Sequence, residues 1–119
     1  MKYIALIYTA SEANPAYGSP EFTTMLKAYQ TATMTYVKDG VMVVGEALQP
    51  TSTATTVRVR RGKTETLDGP FAETKEQLGG FYILDCANLD DAIKYAAMIP
   101  GAAFGSVEIR PIMNFEYPA

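Results

Sequence analysis

With 119 residues the chain has room for one hydrophobic core, read as a single domain over residues 1–119. Apolar residues make up 48% and charged residues 19%, which excludes the disordered and membrane-spanning classes and leaves a compact globular domain. A net charge of -3 removes long-range attraction to phosphate backbones or anionic membranes, and a sequence with no histidine lacks the usual general base, metal ligand and haem ligand together. Neither nucleic acid nor a membrane is therefore expected as a partner, and no cofactor or transition metal is expected. Cys86 is the sole cysteine, so no internal disulfide can form. The apolar stretch Ile4 to Tyr8 is too short for a bilayer span or a secretory signal, and the expected compartment is the cytoplasm.

In chain order, Lys2 to Tyr8 carries apolar or aromatic residues on both alternating sets, Tyr3, Ala5, Ile7 and Ile4, Leu6, Tyr8, as expected of a central strand covered on both faces. Thr9 to Ser19 has no periodicity and holds Asn14, Pro15 and Gly18, which predicts a surface loop long enough to act as a lid. Ser19 followed by Pro20 is a helix start, because the serine oxygen can accept a bond from a free amide and proline suits the first helical turn. Phe22, Met25, Leu26, Tyr29, Ala32, Tyr36 and Val37 recur at helical spacing, and Gly40 stands where a left-handed stop is needed.

Val41 to Leu48 predicts a second strand, interrupted at Gly45 by a bulge or a close backbone approach and ended by Pro50. Thr55 to Arg61 alternates Val57 and Val59 with Arg58 and Arg60; Gly62 and Lys63 then turn the chain into Thr64 to Leu67, giving a hairpin with one polar face. Gly80 to Cys86 is a further strand. Asn88 caps a second helix with Leu89, Ala92, Ile93, Ala96 and Ile99 on one stripe, closed by Pro100 and Gly101. Ser106 to Ile112 alternates Val107 and Ile109 with Glu108 and Arg110 and forms the last strand.

Apart from the hairpin, the order strand, helix, strand, strand, helix, strand is the ferredoxin-like split βαβ pattern, so the expected fold is α+β with an inserted β-hairpin. Two helices cover only one face of such a sheet, whereas the first strand is apolar on both. A second copy of the chain is the natural cover, which predicts a homodimer.

The run Asp68-Gly69-Pro70-Phe71-Ala72-Glu73-Thr74-Lys75-Glu76-Gln77-Leu78-Gly79-Gly80-Phe81-Tyr82 resembles the signature of DGPF proteins within the YCII-related family. The likeness extends from Met1-Lys2-Tyr3 through Leu89-Asp90-Asp91-Ala92 to Val107-Glu108-Ile109-Arg110-Pro111. It implies a ferredoxin-like protomer whose sheet packs on a partner's to form a dimeric α+β barrel. Some members of the family carry a histidine and aspartate pair proposed as an acid/base site in the cleft between helix and sheet. This sequence has no histidine, so that dyad does not carry over. DGPF proteins are also discussed as companions of extracytoplasmic-function sigma factors, which implies a regulatory or stress-linked role.

Four residues stand out as candidates. Asp68, fixed beside a Gly-Pro turn, would serve as a catalytic acid or base if buried; the preferred structural reading is a carboxylate that bonds the free amides of Phe71 or Ala72 and caps the turn. Lys75, in a charged cluster with Glu73 and Glu76, is a candidate to orient an anionic ligand, against the simpler reading of a solvated turn. Tyr8 and Tyr82, with Tyr3, would line an apolar cleft with hydroxyl groups for a small ligand, or else serve in packing. Arg58, Arg60, Arg61 and Lys63 gather on the hairpin, where alternation in a half-exposed strand predicts the same pattern as an anion site. Gly79 and Gly80 lack dinucleotide-binding spacing and suit a bulge or close packing. Cys86 reads as a buried, inert thiol. Together these features predict a dimeric module that binds a small ligand or a protein partner; the competing expectation is a cofactor-independent enzyme with Asp68 as its acid/base.

Overall fold

The computed structural model describes residues 1–118. It is a mixed α+β structure of antiparallel sheets with two α-helices: β1 (Lys2–Ala10), α1 (Pro20–Lys38), β2 (Met42–Ala47), β3 (Thr55–Arg60), β4 (Lys63–Asp68), β5 (Glu76–Asp85), α2 (Leu89–Ala96) and β6 (Ser106–Pro111). Four strands form one antiparallel sheet in the order β2-β5-β1-β6, and β3 and β4 form a separate two-stranded sheet.

Local chemistry explains the helix ends. The Phe22 amide donates to Ser19 Oγ at 3.1 Å, and Pro20 occupies the first helical turn. At the other end Gly40 takes φ 73°, which lets the Val41 amide reach back to the Tyr36 carbonyl at 2.9 Å. In α2 the Asp91 amide donates to Asn88 Oδ1 at 2.9 Å.

The core lies between the helices and one face of the sheet. Tyr3, Ala5 and Ile7 of β1 and Tyr82 and Leu84 of β5 meet Ala32 and Tyr36 of α1, Ala92, Tyr95 and Ala96 of α2, and Ile99. Tyr36 is fully buried; its hydroxyl donates to the Tyr95 carbonyl at 2.6 Å, and its ring meets Tyr82 and Tyr95 edge-on at 5.2 and 5.7 Å. The alternating residues Ile4, Leu6 and Tyr8 fall on the opposite face and are half-buried.

Several expectations shift in detail. β1 runs on to Ala10 and β5 starts at Glu76, because Thr9 and Ala10 pair with Gln77 and Glu76 beyond a bulge. Gly79 is the extra residue there, since Ile7 faces Gly80 while Tyr8 faces Leu78. At Gly80 a Cβ would stand 2.9 Å from the Glu46 carbonyl oxygen, so two glycines serve a bulge and a close approach side by side. The hairpin turns on Arg61 and Gly62, with φ 52° and 75°, one residue earlier than the sequence suggests. Two positive φ values in succession match the right-handed twist of the flanking strands. In α2, Leu89 and Ile93 are exposed and Tyr95 is buried in their place: the helix ends at Ala96, and Ile99 reaches the core from the turn beyond it.

Candidate functional site

The first half of α1 stands away from the sheet and roofs a pocket of about 760 Å³, within the range typical of small-molecule sites. Phe22, Met25 and Tyr29 face it from α1, Ile7 and Tyr82 from the sheet, and Phe104 from the segment before β6. The loop after β1 closes one side through Asn14, Pro15 and Ala16. The buried Thr9 hydroxyl ties this loop back by donating to Asn14 Oδ1 at 3.0 Å. Tyr17, though exposed, sets its ring 5.1 Å from that of Phe22. The segment expected to serve as a lid is thus a wall of the pocket.

A hydroxyl pair lies within this lining, which also includes the neutral polar residues Ser11, Asn14, Gln49, Thr51 and Gln77. Thr33 Oγ1 and Tyr82 Oη lie 3.0 Å apart, joining the middle of α1 to β5. Gly45 of β2 makes room for it, because a Cβ there would stand 2.5 Å from the Tyr82 ring. Tyr29 lies along the same helical face, with its hydroxyl close to Gly101, where an added Cβ would stand 3.1 Å from it. Burial pushes the Tyr29 phenol above its ordinary pKa; the Gly101 backbone offsets part of the effect and Tyr82 adds to it. The Tyr36 phenol is raised well above the ordinary range, first by burial and then by Tyr82, Cys86 and Tyr29. Tyr95 is raised by donating its hydroxyl to Asp39 Oδ2 at 2.9 Å. Tyr29 and Tyr36 therefore stay protonated at neutral pH.

Fixed charge is scarce at the site. Among the described residues the lining includes neither lysine nor arginine, and its one charged residue is Glu46. Strand alternation turns the Glu46 side chain to the face opposite Gly45, opposite Phe81 of β5. Among the described residues no three His, Cys, Asp or Glu side chains cluster as a metal ion would need.

The four candidates from the sequence fall in different places. Tyr82 is buried and lines the pocket. Tyr8 lies on the opposite face of the sheet, beside Ile4 and Leu6. Lys75 is exposed in the segment before β5 and Asp68 is exposed at the end of β4, across from Thr55; neither lines the pocket. Among the described residues the Asp68 carboxylate accepts no hydrogen bond from Phe71 or Ala72. The turn is held instead by the Gly69 amide on the Ala54 carbonyl at 2.7 Å and by the Thr56 hydroxyl on the Gly69 carbonyl at 2.8 Å. Glu76 lies within β5 and accepts from the Ser106 hydroxyl at 3.1 Å. Cys86 is buried, and burial, with Asp91 and Asp85 nearby, pushes its thiol pKa up while the N-terminal ammonium opposes the shift.

Gly45 stood out in the sequence as a bulge or a close approach, and the close approach it admits is that of the Tyr82 ring; Thr33 did not stand out. One signal was there: Thr33 is a polar residue four positions after Tyr29, inside the apolar stripe of α1.

A family model described as "YCII-related domain" matches residues 1–116. A curated relative from Rhizobium meliloti (strain 1021), described as an uncharacterized protein, is 39% identical over 118 residues, covering 98% of this chain and 95% of the relative.

Proposed function

This chain belongs to the YCII-related domain family, and we propose that it is a dimeric module that binds a small molecule between α1 and the sheet. The observation that carries this reading is the hydroxyl pair of Thr33 and Tyr82 set in an otherwise largely apolar pocket of about 760 Å³. A few convergent polar groups in an apolar cleft suit a small ligand better than they suit packing alone.

Strand order supports a ferredoxin-like protomer. With the hairpin set aside, the helices follow the first and third strands in chain order, β1 and β5, which lie side by side at the centre of the sheet β2-β5-β1-β6. The uncovered sheet face supports a partner copy. Ile4 pairs with Ile83, Leu6 with Phe81, and Val44 extends the row beyond Ile83; all five are half-buried in the single chain. A contiguous apolar sheet face of this kind calls for a second layer, and a stable dimer would bury roughly 1,200 Å² or more in total.

Native mass spectrometry of the purified protein tests both parts. The expected result is a dimer that carries a small molecule, which is lost when Thr33→Phe fills the pocket. A chain that stays empty and co-purifies with a different protein would replace the ligand reading with a partner-binding one. Analytical ultracentrifugation that finds a monomer at micromolar concentration would remove the dimer.

A further inference from the structure

We infer that the pocket selects an uncharged, largely apolar small molecule, and that the hydroxyl pair of Thr33 and Tyr82 receives a hydrogen-bonding group of that molecule. The inference rests on the small-ligand reading above and names the class of ligand.

The lining provides no counter-charge for an anion. Lys75, Arg58, Arg60, Arg61 and Lys63 all lie outside it. A carboxylate or phosphate drawn in among Ile7, Phe22, Met25 and Phe104 would lose its hydration with no cation to replace it. An ammonium group fares no better, because the one acidic residue of the lining, Glu46, is exposed and directs its side chain to the other face of the sheet. Only neutral polar groups remain to orient a guest.

Thr33 and Tyr82 are equipped for that role. Either hydroxyl can donate to the other across 3.0 Å. Their mutual bond uses one hydroxyl hydrogen and leaves the second hydrogen, with lone pairs on both oxygens, for a ligand. An alcohol, carbonyl or amide oxygen can be matched in this way without a proton transfer. The pair is also held in place: Gly45 admits the Tyr82 ring against β2, and Tyr36 meets that ring edge-on at 5.2 Å. A guest therefore meets a preset polar spot and does not have to order it.

Four naphthalene probes of nearly equal shape test the inference: 2-naphthalenemethanol, 2-methylnaphthalene, 2-naphthoate and 2-naphthylmethylammonium. Affinities come from calorimetry, and amide chemical shifts of Thr33, Gly45 and Tyr82 locate the bound probe. The expected order places the alcohol first, about tenfold or more tighter than either ion. Thr33→Val and Tyr82→Phe should each weaken the alcohol by about fivefold and leave 2-methylnaphthalene unchanged, while Thr33→Ser restores the alcohol. Should a variant fail to fold, as judged by its thermal midpoint, the order of the four probes on the unaltered protein still decides. Binding of the carboxylate or the ammonium as tightly as the alcohol would overturn the inference and leave the small-ligand reading standing. Failure of all four probes, the hydrocarbon included, would overturn both.

Discussion

A Cβ placed on Gly45 would stand 2.5 and 2.6 Å from two carbons of the Tyr82 ring. No positive φ requires glycine at this position; what requires it is the aromatic ring packed across the strand. Gly45→Ala should force that ring aside, lower stability by about 1 to 3 kcal/mol as overpacking does, and part the Tyr82 hydroxyl from Thr33. Urea midpoints of Gly45→Ala, Tyr82→Leu and the double variant form the check. The cost of Gly45→Ala should largely vanish once the ring is gone, and a purely additive result would show that Gly45 serves the backbone.

Alkaline pH provides a second test. Tyr29 and Tyr36 have folded-state pKa values above the ordinary 10.0. Above that value the unfolded chain releases these protons while the folded chain keeps them, so their contribution to stability is complete below about pH 10 and declines as pH rises further. The urea midpoint should therefore fall above about pH 10. Tyr36→Phe should make the fall shallower, at a cost near neutral pH of about 1 kcal/mol for the lost bond to the Tyr95 carbonyl. That carbonyl keeps the Met98 amide at 3.1 Å, which limits the cost. A midpoint indifferent to pH from neutrality to about pH 11 would count against the burial argument.

Cys86 should behave as a silent thiol. It is 3% exposed, and its pKa is shifted upward by burial, so the thiolate that reacts with disulfide reagents is scarce. Modification by a chromogenic disulfide should be slow in buffer and rapid in denaturing urea. Fast modification of the folded protein would mean that the β5 end opens readily.

Asp68 separates a cap from a solvated side chain. Its carboxylate makes no bond to the Phe71 or Ala72 amides, and the turn is fastened by Gly69, Ala54 and Thr56. Asp68→Ala should change stability by no more than about 0.5 kcal/mol and leave probe affinity in the α1 pocket untouched. Thr56→Val, which removes the bond to the Gly69 carbonyl, should cost more. A loss of about 1 kcal/mol or more at Asp68 would point to a cap after all.

What the sequence determined was local. Ser19, Pro20, Gly40 and Asn88 set helix ends through bonds within a few residues of themselves, and alternation in Lys2–Tyr8 and Ser106–Ile112 set strands and their faces. Gly79 and Gly80 announced a bulge and a close approach because glycine in a strand has few other uses. The tertiary structure decided the rest. Helical spacing groups Phe22, Met25, Tyr29 and Thr33 on one side of α1, yet it cannot say whether that side meets the sheet or overhangs a cavity. Thr33 and Tyr82 are 49 positions apart, and only the path of the chain brings their hydroxyls together. Period also failed for Leu89 and Ile93, because α2 ends at Ala96 and the turn that follows carries Ile99 into the core instead. A sequence period records which side chains share a face; what covers that face depends on how far each element stands from its neighbours, and that distance is fixed by packing across the whole chain.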